Sequence, residues 1–185
     1  MARLAIPTRD DAPAAAQAEL DAVHARWGVV PAMYRLLATA PQVLAGFQAF
    51  SGHLDTIVDP RMRERLALAM AQHQACEYDL AAHNWLALNI ARICPDEIAR
   101  NRQGISSDAA AKAALRFAIA VADSRGQVED GVLAGMRDAG FSDADLVALV
   151  ALTALNLFTN MLTSLAQIEP DLPRCAALAP PEPAS

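Results

Sequence analysis

The chain has 185 residues, with 15 Lys and Arg against 21 Asp and Glu (net charge −6), 54% apolar residues and 5% aromatics. That length makes one domain of ordinary size able to bury about 70% of its unfolded surface without a disulfide or a metal, and the apolar fraction excludes global disorder. The acidic balance, with Lys112 the only lysine and no run of basic residues, excludes a phosphate-tracking nucleic-acid binder.

Composition and punctuation predict an all-α chain. Ala and Leu dominate, both strong helix formers, and no stretch alternates apolar and polar residues as a half-buried strand does. Asp11-Ala-Pro13 offers a cap and an early proline, opening a helix to about Trp27-Gly28. Pro31 and Pro41 read as first-turn prolines of a short helix and of a longer one ending near Asp55. Asp59-Pro60 starts a helix into the low seventies, and another is expected from about Cys76 to Ile93. Pro95 opens a short helix, and Ser107-Asp108 caps one that runs to about Ser124, ended by Gly126. Residues 128–139 form the next, stopped by Gly140. Ser142-Asp-Ala-Asp145 approaches a capping box at the start of a long apolar helix. With no fixed-period repeat, the reading is one domain: residues 1–58 as an N-terminal helical segment wrapping the rest, 59–169 as the core, and 170–185 as a proline-rich tail.

The long helix is uncharged between Asp145 and Glu169, enough to span a bilayer. However, Thr153, Asn156, Asn160, Thr163 and Gln167 recur at spacings of three and four, which draws a polar stripe along one face, and no basic cluster flanks the segment. The expectation is a helix buried in a bundle or a subunit interface, with no membrane span. Three cysteines, Cys76, Cys94 and Cys175, are too few for a disulfide framework. The N-terminus lacks the apolar core of a signal peptide, so a reducing, cytoplasmic setting is expected.

Chemistry concentrates between Glu64 and His83. On a helix, Cys76, Asp79, Leu80 and His83 share one face. A cysteine in the first turn sits at the positive end of the helix dipole, which favours thiolate. Asp79 one turn on opposes that by raising the thiol's pKa. Asp79 and His83 stand at i, i+4 and are placed to pair. Glu64, from the preceding helix, meets the same face if the two helices form a hairpin. His73 lies one turn before Cys76 and reads as a loop or core group, and the His73–His83 spacing matches no usual metal pair. Tyr78 and Trp85 read as packing groups, Asn156 and Asn160 as partners in helix–helix or intersubunit hydrogen bonds. Eighteen residues of helix separate Cys94 from Cys76 by about 27 Å, beyond the roughly 7 Å a disulfide spans. Cys175, in the tail, is within reach of the site.

The pattern Glu64-x11-Cys76-x2-Asp79-x3-His83 resembles the alkylhydroperoxidase D-like and carboxymuconolactone decarboxylase superfamily, whose redox members carry Glu-x11-Cys-x2-Cys-x3-His. Arg61-Met-Arg-Glu-Arg-Leu-Ala-Leu68, Ala81-Ala-His83, Leu115-Arg-Phe-Ala118, Ala139-Gly-Phe-Ser-Asp143 and the helix with Asn156 and Asn160 resemble its peroxidase-related branch, as does Val30-Pro-Ala-Met-Tyr-Arg-Leu-Leu-Ala38. The likeness extends over most of residues 25–168. It implies a single-domain all-α alkylhydroperoxidase D-like bundle that assembles as a homo-oligomer (dimer, trimer or hexamer). In redox members the second cysteine attacks the peroxide, the first resolves it, the glutamate and histidine relay protons, and an external dithiol reduces the disulfide. Here Asp79 replaces the attacking cysteine.

Three functions follow as expectations, all drawing on Cys76, His83, Glu64 and Asp79. The first is a hydroperoxide-reducing enzyme with Cys76 as its single working thiol and an external thiol as reductant. The second is a non-redox, decarboxylase-like enzyme in which His83, oriented by Asp79 or Glu64, moves protons on a small-molecule substrate. For that reading, none of Arg61, Arg63 and Arg65 identifies itself as the group that binds a substrate carboxylate. The third is a non-catalytic member of the family. No cofactor, metal, nucleic acid or membrane is expected.

Overall fold

The computed structural model describes residues 2–176 and 178. Among them are nine α-helices and no strand: α1 (Ala14–Trp27), α2 (Ala32–Leu37), α3 (Pro41–Ile57), α4 (Pro60–His73), α5 (Glu77–Asn89), α6 (Pro95–Arg102), α7 (Ala109–Ser124), α8 (Asp130–Asp138) and α9 (Asp143–Ala166). Several start where side-chain capping dictates. Asp59 accepts from the Arg61 and Met62 amides at 2.9 and 3.1 Å, and Asp108 accepts from Ala111 at 2.9 Å. At α9 the capping box is complete, with Asp145 N donating to Ser142 Oγ (3.2 Å) and Ser142 N to Asp145 Oδ2 (2.8 Å).

Four local expectations need correction. Asp11 caps nothing; it is held by Thr8 in its own turn (2.6 Å), and Pro13 takes the N-cap of α1. Pro31 likewise is the N-cap of α2, just outside its first turn. Helix α5 stops at Asn89, short of Ile93: Arg92 adopts φ +55°, and the Ile93 amide turns back onto Ala87 O (2.9 Å), burying Ile93 against Leu68, Ala87 and Ile98. Helix α7 is closed by Arg125 in the left-handed region, with Gly126 one residue beyond it.

Helix α4 is the hub. Every residue from Arg65 to Ala71 is buried, and it packs against α5, α6, α7 and α9, as a stretch apolar on all sides from Leu66 to Ala71 must. The one charge in that run, Arg65, is held between Glu97 (3.7 Å) and Asp108 (3.6 Å). One core lies between α4, α7, α8 and α9. A second joins α1–α3 to Cys76, Tyr78, Ala166 and Ile168, so the N-terminal helices close over the start of α5 and the end of α9.

Helix α9 reverses the usual amphipathic arrangement. Its polar stripe faces inward: Thr153, Asn156, Asn160 and Thr163 are all buried, whereas Val147 (70% exposed), Val150, Met161 and Leu165 face outward. Only Gln167, the C-cap, leaves the stripe for solvent. Most of the buried polar groups meet their own helix, with Thr153 donating to Leu149 O (2.8 Å), Asn156 to Leu152 O (2.9 Å) and Thr159 to Asn156 O (3.0 Å). Asn160 is the exception, since neither amide atom has a hydrogen-bond partner. The helix is long and apolar enough to cross a membrane by length and composition, and it packs along α3, α4, α5 and α7.

Candidate active site

The site is built on the turn between α4 and α5. The Cys76 amide donates to Ala71 O (2.8 Å) and the Ala75 amide to Gln72 O (3.1 Å), the paired bonds of a Schellman closure. Its left-handed position is filled by Ala75 at φ +52°, where glycine is usual. This tight reversal sets α5 back along α4 and brings Glu64 to His83: His83 Nδ1 lies 2.8 Å from Glu64 Oε2. The predicted hairpin meeting is therefore present. The predicted Asp79–His83 pairing is not: Glu64 takes His83, and Asp79 turns to other partners.

Those partners are Cys76 and Thr163. The Cys76 thiol donates to Asp79 Oδ2 (3.0 Å), and Thr163 Oγ1, from α9, donates to the same oxygen (2.8 Å). The sulfur and the threonine hydroxyl are 3.2 Å apart. Cys76 is 2% exposed and serves as the N-cap of α5, one residue before its first turn. Burial, then the Asp79 carboxylate, pushes its thiol pKa up. The rise that Asp79 was expected to impose is present, and desolvation, which the sequence did not show, adds the larger part and overrides the dipole that favours thiolate. For His83, burial works to lower the pKa, but the Glu64 charge and hydrogen bond, with Asp79 adding, carry it above the usual value.

Glu64, Asp79 and His83 line one cavity of about 150 Å³, and Cys76 is not part of its wall. Met33, Tyr34, Phe47 and Leu155 add a largely apolar part to the lining, and Arg26, Asp55 and Arg63 a charged one. Asp55 bridges the two arginines, 2.9 Å from Arg26 and in closer contact with Arg63. Burial, with the nearby Arg26 charge adding, lowers the Arg63 pKa, and its Nε has no partner. Sequence reading missed Thr163, Arg26 and Asp55 as site residues. No local signal marks Arg26 or Asp55. Thr163 carried a signal in the polar stripe, but its partner lies 84 residues away.

The remaining candidates lie elsewhere. His73 pairs with Asp123 (2.8 Å) across α4 and α7. Cys94 is exposed at the N-cap of α6, and Cys175 is half-buried with its thiol on Leu80 O (3.4 Å); all three cysteines are free. Tyr78 is buried and its hydroxyl donates to Asp171 (2.5 Å), while Trp85 is 40% exposed. Among the described residues, no group of three His, Cys, Asp or Glu side chains is arranged to hold a metal.

No protein-family model and no curated protein matches the sequence. Solved structures do match in fold. The alkylhydroperoxidase AhpD core of an uncharacterized peroxidase-related protein from Ralstonia eutropha JMP134 superposes with a TM-score of 0.79 at 23% identity, over 92% of both chains. An uncharacterized peroxidase-related protein from Silicibacter sp. TM1040 gives 0.80 at 22% identity, again over 92% of both. A Cys-to-Ala variant of the debrominase Bmp8, in complex with 2,3,4-tribromopyrrole, gives 0.76 at 15% identity, over 91% of this chain and 93% of that one. The protein is thus a single-domain, all-α bundle of the alkylhydroperoxidase D-like fold. That fold carries more than one activity among its members.

Proposed function

We propose that the protein is an acid/base enzyme acting on a small, partly apolar molecule, with His83 as its proton-transferring group. The observation that carries this reading is the His83–Glu64 pair on the wall of a cavity that Asp79 also lines. Glu64 occupies Nδ1, fixes the ring and stabilises its charged form, leaving Nε2 as the free ring nitrogen. The imidazolium donates a proton to a carbanion or carbonyl oxygen of the substrate. Asp79, whose Oδ2 is occupied by Cys76 and Thr163, has its other oxygen free to accept one. A cavity of this size holds a molecule comparable to benzene.

The second reading, a one-cysteine peroxidase drawing on an external thiol, is supported by the names of the fold neighbours, which belong to other proteins at low identity. Against it stand the burial of Cys76, its raised pKa and its place outside the cavity wall. One pair of assays separates the readings. The first follows solvent-deuterium incorporation and decarboxylation by NMR over a panel of small oxo acids and lactones. Turnover that His83→Asn abolishes and Glu64→Gln reduces supports acid/base chemistry. The second exposes the protein to an organic hydroperoxide with a sulfenic-acid trap present. Rapid trapping that disappears in Cys76→Ser overturns the acid/base reading in favour of the peroxidase.

The proposal extends to assembly as a homo-oligomer through the outer face of α9. Val147, Val150, Met161 and Leu165 stand exposed on a helix with no charge beyond Asp145, and Val43 and Phe50 of α3 border an apolar groove beside it. Apolar surface of this extent on a soluble chain is ordinarily covered.

A further inference from the structure

We propose that Cys76 is a positioning residue: its thiol donates a hydrogen bond that, with Thr163, fixes Asp79 so that the carboxylate presents its other oxygen to the cavity. This assignment deepens the acid/base reading and rests on it for the use made of Asp79.

Three observations carry it. The first is convergence. A donor from the N-cap of α5 and a donor from α9, 87 residues apart in sequence, meet on one oxygen of a carboxylate that is 3% exposed. Two donors on Oδ2 remove the side chain's freedom to rotate, and a thiol gives its better hydrogen bond when the acceptor is charged. Asp79 also occupies the first turn of α5, where the positive end of the helix favours an anion. The dipole that would have activated a thiolate is matched instead to the carboxylate.

The second observation is where the sulfur sits. Cys76 belongs to the apolar core with Met33, Leu36, Tyr78, Ala166 and Ile168, and it contributes nothing to the cavity wall. A thiolate there would lose its water and face an anion at 3.0 Å. A substrate in the cavity meets Asp79 before it meets the sulfur.

The third is an internal comparison. At the start of α9, Ser142 stands at the N-cap and Asp145 three residues on, with Ser142 Oγ donating to Asp145 Oδ2 at 2.6 Å. Cys76 and Asp79 hold the same two positions of α5. The chain therefore makes this contact twice, once with a hydroxyl in water and once with a thiol in the core. Serine should accordingly replace the thiol at residue 76, whereas a nucleophilic sulfur would have no such substitute.

The test uses the full chain and reads the thiol directly. Infrared difference spectra of wild type against Cys76→Ala, at neutral pH, isolate the Cys76 S–H stretch, with Cys94→Ala giving an exposed thiol for reference. A band shifted to lower frequency than that of Cys94, with the shift reduced in Asp79→Asn, is expected. Absence of the band, which means thiolate, or a band at the Cys94 frequency overturns the assignment. A second readout follows the proton-transfer activity of the panel described above. Cys76→Ser is expected to stay within about threefold of wild type and Cys76→Ala to fall about tenfold or more, the range for losing a bond to a charged group. Equal loss in both variants overturns positioning. If wild type turns over nothing in the panel, the acid/base reading fails, and the infrared band still decides whether Cys76 is a donor to Asp79.

Discussion

Glu64 and His83 show how an ordinary residue pair acquires a direction of proton transfer. Burial alone would lower the His83 pKa; a carboxylate at 2.8 Å outweighs it, and the histidine's pKa rises from 6.5. The sign of the stability effect follows. A group whose pKa is raised in the folded state contributes stability that is fully present below its unfolded value and is lost as pH rises through the folded value. Urea midpoints measured from pH 5.5 upward should therefore fall as the solution passes about pH 6.5 and beyond. Glu64→Gln should flatten that slope, and an unchanged slope would mean the pair does not titrate as a unit. The same competition between burial and neighbouring charge, with both acting in one direction, leaves Cys76 a thiol.

At the scale of elements, two features hold the site in place. The α4–α5 turn depends on Ala75 at φ +52°, a conformation that costs a residue with a Cβ about 1–2 kcal/mol. Ala75→Val should lower stability by at least a further 1 kcal/mol or so, because a β-branched side chain is a steric outlier in that region. A denaturation curve that matches wild type would remove the turn from the argument. The second feature is the inward polar stripe of α9. Thr163→Val keeps the shape but removes the donor to Asp79, and should cost about 1–3 kcal/mol because a buried carboxylate loses a partner. Changing Leu165, 60% exposed on the opposite face, to Ser should leave the monomer within about 0.5 kcal/mol. Equal effects at the two positions would show that α9 is not anchored through its polar side.

For the whole molecule, the arrangement of α9 states what the fold leaves uncovered. A bundle that turns Thr153, Asn156, Asn160 and Thr163 inward must turn Val147, Val150 and Met161 outward. Self-association through that face predicts that Val150→Glu with Met161→Glu reduces the mass seen by light scattering to one chain without loss of helical circular dichroism. A wild-type protein that is already a monomer at tens of micromolar would dismiss the interface. The all-α bundle was legible in the sequence because helix boundaries are written locally, in Asp59-Pro60, Asp108 and the Ser142–Asp145 box, whereas its alkylhydroperoxidase D-like form was expected only from the resemblance of the Glu64–His83 pattern. Where local signals failed, at Asp11 and beyond Asn89, a competing turn or a buried Ile93 prevailed.

The sequence by itself determined the all-helical fold and the presence of a cysteine and a carboxylate one turn apart, since each depends on spacing along the chain; the approach of Glu64 to His83 was left conditional on a hairpin that the structure supplies. Only the tertiary structure decided what those groups do to one another. The burial of Cys76 depends on α2 and the end of α9 closing over it. The turn of Asp79 toward Thr163 depends on a residue 84 positions away, and the setting of Arg26, Asp55 and Arg63 in the cavity lining joins three helices. Desolvation is a property of the packed chain, and added to the opposing charge of Asp79 it makes Cys76 a hydrogen-bond donor.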